Sequence, residues 1–578
     1  MIRNNSIFRS FQEVFNVSKR FFIWNYLLTL VQGIMNAIPI IFLQIFFDSL
    51  VNALNGQENW NHVLFSFGAY LGITIFSHLI KSVTDYNYEY YDLVVAHAMV
   101  NKTNQKAGAL SPYTLEDSKT QDAVKKAYEG TKRVRTIVDT MMLLALYYFP
   151  EFLVIIVYLY RASPLLPLVI VFVLLAIIIP EFLRERYYTN AEESVANLTR
   201  KIDEYSSYIS DLRHCGETRM LMLCSQFIVK VKDCIKKRNS VMLDCFLKSC
   251  ALERIERFFS LGGRILTMFL LLICTANGAI SIGMFAAVFM SIDNLFALMT
   301  QLVTVFSGGI SETLGKVKCY FRVQNMPDES FLSMGLGELQ TITLEHISFA
   351  YPSQSCNAVE DISLTIKKGE HIAIVGENGS GKTTLIRLLS GLYAPTSGRV
   401  TYNGKTKIEA RRDMSAVFQN FGRYHLSVAE NIRISDVAST NVPSSVANKS
   451  NFFLALGDSI DMYTMLSREF GGIELSGGQW QQLAIARGFY RRCGWIFLDE
   501  PTSAIDPIHE GDIANCIHCM DRDKTSITVT HRLSSIRFVD KIIVMKNGRI
   551  VGFDNHANLM KKCEEYQKIW KAQTESLS

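Results

Sequence analysis

A six-span α-helical membrane half followed by a soluble α/β half is the fold class that this sequence predicts, and three observations carry it. The first is charge: no Lys or Arg lies between Arg20 and Lys81, and further basic-free windows cover residues 136–160, 162–183 and 265–315. The second is a change of character after residue 320, where the polar segment VQNMPDESFLSMGLGELQ gives way to short apolar runs alternating with helical stretches. The third is a glycine-rich turn set between a strand pattern and a helix pattern, HIAIVGENGSGKTTLIRLL.

Bulk composition says less. The 578 residues leave room for several domains. At 49% hydrophobic and 20% charged, the chain is neither disordered nor strongly basic. A net charge of +5, from 59 basic and 54 acidic residues, implies no nucleic acid partner. The 12 cysteines all lie at or after Cys215, and the close pair Cys516 and Cys519 around His518 has no second pair at zinc-site spacing. These read as reduced thiols in a reducing compartment.

The apolar windows resolve into six expected spans, at residues 21–46, 62–82, 137–160, 164–184, 258–277 and 280–306. Stretches 83–136 and 184–257 are rich in Lys and Arg, whereas the loops near 50–60, 161–163 and 275–280 carry only Arg161. The positive-inside rule therefore puts both termini in the cytoplasm of a cell membrane. The first 20 residues read as an interfacial helix rather than a secretory signal. The two basic stretches keep helical apolar spacing, so the spans are expected to run on beyond the bilayer, where ~25 extra residues add about 38 Å. Their tips, SPYTLED at 111–117 and RHCGETRM at 213–220, would face a cytoplasmic partner. The domains are expected at 1–325 (membrane), 326–340 (linker) and 341–578 (nucleotide-binding).

In the glycine-rich turn, Gly376, Glu377, Asn378, Gly379, Ser380, Gly381, Lys382, Thr383 and Thr384 fit the P-loop. Its backbone N–H groups can turn towards phosphate oxygens, Lys382 can meet the β- and γ-phosphates, and the Thr383 hydroxyl can reach Mg²⁺. Downstream, WIFLDE is a buried-strand pattern ending in Asp499, suited to Mg²⁺, and Glu500, suited to activating a water in line with the γ-phosphate. Between them, Ser476, Gly477, Gly478 and Gln479 open a helical stretch and form a second anion site.

Taken in order, the P-loop, the LSGGQ run, the strand Asp-Glu, the Ser503-Ala504-Ile505-Asp506 run and His531 in SITVTHRL resemble the nucleotide-binding domain of ATP-binding cassette (ABC) proteins. The resemblance spans residues 341 to about 565 by motif, and the amino half resembles the exporter-type membrane domain by topology alone. It implies ATP and Mg²⁺ as cofactors, and two chains packed head to tail, each ATP lying between one P-loop and the other LSGGQ. By position it assigns Tyr351 to adenine stacking, Gln419 to the Q-loop and the metal, His531 to the γ-phosphate, Ser476 and Gly478 to contact from the opposite subunit, and Asp506 to the D-loop. One departure stands out: Phe470-Gly471-Gly472 replaces the Glu-Arg-Gly common before the signature in multidrug exporters.

The partner is expected to be a second half-transporter, identical or similar. VFQNFGRYHLSVAENI and Trp480 resemble exporters of ribosomally made peptide antibiotics, including lanthipeptide and lasso-peptide systems, and no amino-terminal leader peptidase is expected ahead of the first span. The leading reading is ATP-driven export of a peptide or other amphipathic cargo. A lipid or multidrug exporter is the alternative, and a cargo-free membrane ATPase acting as a sensor is a reading of a different class. Asn36, Gln44, Glu151, Asp293 and Gln301 are the polar candidates for the cargo path, and carboxylates there would favour cationic cargo.

Overall fold

The computed structural model describes residues 6–328, 338–352, 354, 356–405, 413–439, 460–502, 524–532, 536 and 539–575. It divides into two compact units: residues 1–107 with 122–326, and residues 108–121 with 327–578. The turn at residues 108–121 thus belongs with the second unit although its flanking helices lie in the first.

The first unit is helical throughout. A short helix α1 (Ser6–Val17) precedes α2 (Lys19–Leu54), α3 (Trp60–Ala109), the turn helix α4 (Pro112–Leu115) and α5 (Ser118–Leu143), of which α4 is assigned to the second unit. A π-helical turn at Leu144–Tyr148 joins α5 to α6 (Phe149–Ala162); α7 (Leu165–Ser210), α8 (Leu212–Met220), α9 (Cys224–Ala276) and α10 (Ile282–Gln324) follow. Six of these stretches are long and apolar enough to cross a membrane. Three of the six expected spans fall inside them and the other three overrun a helix end by one or two residues, and the protein is an integral membrane protein. At 1.5 Å per residue, the 50 residues of α3 reach about 75 Å against a hydrocarbon core of about 30 Å. Side chains such as Phe65, Phe172, Ile179 and Phe258 are largely exposed on this unit, a surface suited to lipid and not to water.

Two apolar clusters organise the unit. One joins α2, α6, α7, α9 and α10 through Leu159, Ile170, Ile177, Leu271, Phe296 and Met299. The other takes in Val14 from α1, Phe22 and Tyr26 from α2, Tyr91 from α3, Ile137 from α5 and Tyr320 from α10. The amino-terminal helix therefore spends its apolar stripe on protein, burying Ser10 and Val14 against its neighbours. Arg135 is buried there and pairs with Asp92 and, at 2.8 Å, with Asp139.

Helix crossings are tight where glycine permits. A Cβ on Gly33 would stand 2.6 Å from the carbonyl oxygen and 2.8 Å from the Cα of Tyr147, in the π-helical turn. At the other end of α2, Asp48 caps α10: its Oδ1 accepts from the Gly283 N–H and its Oδ2 from the Ser281 hydroxyl, both at 3.0 Å. An acid at a helix N-terminus satisfies donors that the helix cannot satisfy itself.

The second unit is built on two sheets. A three-stranded antiparallel sheet has the order β2 (Val359–Lys367), β1 (Thr341–Phe349), β4 (Ser397–Tyr402). A six-stranded sheet runs β5 (Met414–Val417), β6 (Trp495–Asp499), β7 (Thr525–Val529), β3 (His371–Gly376), β8 (Lys541–Lys546), β9 (Arg549–Asp554), parallel except for β9. Its central strands are almost wholly buried, as parallel strands covered on both faces are. The fold class expected from the pattern, six membrane helices and then an α/β nucleotide-binding domain, is the one observed.

Gly33→Ala is expected to lower stability by about 1–3 kcal/mol, because the neighbours the new Cβ would meet are backbone atoms of Leu146 and Tyr147 that cannot rotate away. A thermal melt in detergent measures it, and an unchanged midpoint would mean that the α2 crossing is looser than described.

Candidate functional site

The register of the parallel strands decides which side chains meet. Ile374 of β3 and Asp499 of β6 both pair with Val529 of β7, so the carboxyl ends of three adjacent strands lie level. The P-loop leaves β3, Asp499 and Glu500 end β6, and His531 follows β7. Ligands of parallel α/β sheets bind at this edge.

The P-loop needs its glycines. Gly379 and Gly381 sit at φ +80° and +98°, and a Cβ on Gly381 would lie 2.4 Å from the Ala358 carbonyl oxygen. Helix α11 (Lys382–Leu389) starts directly after. Lys382 is only 7% exposed, and its ammonium donates to the carbonyl oxygens of Gly376 at 3.0 Å and Glu377 at 2.8 Å. Burial pulls its pKa below the ordinary lysine value, while Glu500 and Asp499 oppose the shift. The side chain rests across the loop on which an anion would sit.

The Thr383 hydroxyl donates to Asp499 Oδ1 at 3.2 Å. Asp499 is 2% exposed, and its other oxygen, Oδ2, is buried without a hydrogen-bond partner. Burial raises its pKa, the Thr383 hydrogen bond lowers it, and the neighbouring Glu500 charge raises it again. A hydroxyl and an unsatisfied carboxylate oxygen, beside Gln419, form an all-oxygen donor set that fits a hard divalent cation.

Glu500 lies in the left-handed region, at φ +50°, which is uncommon for a residue with a side chain. Its backbone is held on both sides: its N–H donates to the Val529 carbonyl at 3.1 Å, and Gln481 Nε2 donates to its carbonyl at 3.0 Å. The carboxylate accepts from Gln419 Nε2 at 2.9 Å and lies 3.3 Å from His531 Nε2. Burial and the Lys382 charge hold His531 below the ordinary histidine pKa, against the pull of Glu500, so the imidazole is mainly neutral at pH 7. Strain of this kind at a functional position costs about 1–3 kcal/mol and persists only where the surroundings enforce it.

Other expected residues are placed differently. Ser476 caps the helix Gly477–Tyr490 in a reciprocal box with Gln479, at 2.8 and 3.3 Å, and Ser476 and Gly477 face outward. Trp480, read from sequence as a subgroup cue, is buried in the cluster of Val428, Ile432, Leu466 and Leu483, so packing accounts for it. Tyr351 donates or accepts at Thr384 Oγ1 (3.1 Å), and its ring meets Phe349 edge-on at 5.1 Å. Asp506 and the Ser503–Ile505 run lie outside the described residues. In the Phe470-Gly471-Gly472 departure, Gly471 takes φ +75° and a Cβ on Gly472 would collide with the Met465 carbonyl oxygen at 1.9 Å, so the local turn itself demands the two glycines.

One grouping is not legible in the sequence, and another gives an expected tip its specific partners. Gln481 reads in sequence as one polar residue among many on a helix, and only its burial reveals that it supports Glu500. The turn at 108–121 brings Glu116 to Arg387 Nη1 (3.3 Å) and to the Tyr393 hydroxyl, while the Tyr113 ring lies 5.5 Å from Phe349. Arg387 stands on the helix that follows the P-loop and also reaches the Tyr351 hydroxyl, at 3.4 Å. The residues of SPYTLED thus touch the nucleotide-binding fold one turn behind its P-loop.

A strand-edge carboxylate, a P-loop and a capped helix at the LSGGQ run, carried on a chain with six membrane helices, define a membrane-bound P-loop ATPase. Residues 359–503 match the family model described as ABC transporter. The chain is 26% identical to the subtilin transport ATP-binding protein of Bacillus subtilis, over 97% of this chain and 93% of that one. It is 30% identical to the nisin transport ATP-binding protein of Lactococcus lactis subsp. lactis over 53% of each chain, and 31% identical to an ATP-dependent lipid A-core flippase of Sodalis glossinidius over 49% of this chain and 50% of the other. The structure of a bacterial Atm1-family ABC exporter with ATP bound superposes with a TM-score of 0.81, at 19% identity, covering 96% of this chain and 98% of that one. Residues 359–503 thus carry an ABC transporter ATPase domain, and the chain has the ABC exporter fold, that domain fused to its own membrane domain.

Gln481→Ala is expected to slow ATP hydrolysis about tenfold while leaving nucleotide affinity nearly unchanged, since it removes one hydrogen bond that holds Glu500 in place. Steady-state hydrolysis beside a nucleotide-binding titration checks this; an equal loss of binding would place Gln481 elsewhere in the mechanism.

Proposed function

We propose that this chain exports a peptide or similar amphipathic compound across a bacterial cell membrane, driven by ATP and working as a dimer. One observation carries the chemical half of that reading: Glu500 is aimed by Gln419 and His531 beside the Thr383–Asp499 pair. In this reading the P-loop amides and Lys382 bind the β- and γ-phosphates of ATP. Glu500 orients and deprotonates the attacking water, Gln419 fixes the carboxylate, and neutral His531 donates to the γ-phosphate. Thr383, Asp499 and Gln419 would hold Mg²⁺, which when bound neutralises charge on the phosphates.

Ser476 and Gly477, exposed at the start of a capped helix, supply the second anion site to the P-loop of a partner half-transporter. ATP between two such chains draws their nucleotide-binding domains together. The tip at Tyr113 and Glu116, clasped by Phe349, Tyr393 and Arg387, is suited to pass that motion to α3 and α5. The distribution of Lys and Arg supports an orientation with both termini and the ATPase domain in the cytoplasm. The peptide cargo is supported by the full-length likeness to the subtilin transport protein. The half-length likeness to a lipid flippase keeps lipid cargo as the second reading.

Lys382→Ala is expected to abolish ATP turnover in nanodiscs, and persisting turnover would mean that the P-loop is misassigned. Glu500→Gln should retain ATP and accumulate a closed dimer visible by size and crosslinking, with hydrolysis reduced at least a hundredfold, a loss on the order of those seen when one catalytic general base is removed. Inside-out vesicles should take up a cationic amphipathic peptide with ATP and not with a non-hydrolysable analogue. Movement of labelled lipid without peptide uptake would favour the second reading.

A further inference from the structure

The membrane unit holds a buried carboxylate for which ATP chemistry has no use. Glu151, 4% exposed, lines a cavity of about 830 Å³ bounded by α2, the span formed by α5 and α6, and α10. Its Oε1 accepts from Asn36 Nδ2, and Asn36 also donates to the Tyr147 hydroxyl at 3.3 Å. Its Oε2 is buried and has no hydrogen-bond partner.

The backbone around it is built for this placement. The π-helical turn Leu144–Tyr148 runs directly into Pro150, and such turns re-aim the side chains beside them. Gly33 allows α2 to close on Tyr147, which brings Asn36, three residues further along α2, against Glu151. The remaining walls carry apolar and aromatic side chains such as Ile155, Tyr158, Leu295 and Leu298, interspersed with Ser291, Asn294 and Gln301. Lys81 also lines the space, but it is exposed where Glu151 is buried. Of the other acids and amides picked out in the spans, Gln301 lines the same cavity, whereas Asp293 is exposed and paired with Arg264 at 2.8 Å.

A buried carboxylate oxygen without a donor is costly, and Glu151 carries one at the wall of this cavity, where a ligand could supply the missing donor. The volume lies within the range of small-molecule sites, and the lining mixes apolar side chains with several polar ones, of which Glu151 is the one acid. We propose that Glu151 Oε2 is the recognition point for a protonated amine or guanidinium on the cargo, with the aromatic and aliphatic walls receiving the adjoining apolar part. This deepens the export reading and rests on it.

The test uses the full chain in nanodiscs without ATP, titrated with dansylcadaverine, a fluorescent primary amine, and with its uncharged N-acetyl derivative. The wild type is expected to bind the amine about tenfold more tightly than the acetylated probe, the difference made by one charged hydrogen bond. Glu151→Gln should erase that preference, leaving affinity for the acetylated probe unchanged. Glu151→Asp, which keeps the charge, should retain the preference at least in part. A preference that survives Glu151→Gln, is lost in Glu151→Asp, or is absent from the wild type overturns the proposal. Failure of the export reading looks different: the amine preference stands, but vesicles show no ATP-driven uptake.

Discussion

The level register of β3, β7 and β6 is the constraint on which the chemistry of this chain depends. Shifting a strand by one residue would turn every side chain to the opposite face and displace Asp499 and Glu500 from the P-loop. The wholly buried sequences WIFLD and TSITV hold the register by packing on both faces, so the precision of the site is set by apolar side chains that never touch nucleotide. Glu500 then adds a left-handed backbone, stabilised by Val529 on one side and Gln481 on the other.

The membrane unit solves the opposite problem. Its outer surface is apolar, and its polar side chains are gathered inward and mostly satisfied: Tyr158 donates to Gln44 at 2.8 Å, Ser49 and Ser66 share a hydrogen bond of 2.6 Å, and Arg135 lies between two aspartates. Among the described residues of this unit Asn25 is also buried without side-chain partners, but the unpaired oxygen on Glu151 is the one carried by an acid and set at the cavity wall. In hydrocarbon surroundings an acid is kept where it has work to do.

The sequence made the architecture legible because two of its signals are strong. Windows without Lys or Arg locate spans almost irrespective of tertiary contacts, and the P-loop fixes a strand, a turn and a helix together. What remained hidden depends on contacts distant in sequence. Gln481 supports Glu500 from 19 positions away, and Glu116 reaches Arg387 across 271 positions. Trp480 and Tyr351 also have packing roles that a motif position does not announce: the tryptophan is buried, and the tyrosine ring meets Phe349 edge-on. The amino-terminal helix packs Val14 into the cluster with Phe22 and Tyr91, a contact that an amphipathic stripe alone does not specify, since the stripe is the same whether lipid or protein covers it.

The Asp48 cap at the start of α10 carries a mechanical consequence. The carboxylate belongs to α2 and the donors to α10, so parting these two helices at that end exchanges two charge-assisted hydrogen bonds for water. The first and last spans of the unit are thereby latched like the two leaves of a hinge at its pin. Rearrangement of the unit costs least when it swings them together, and the cavity holding Glu151 lies along that latched pair.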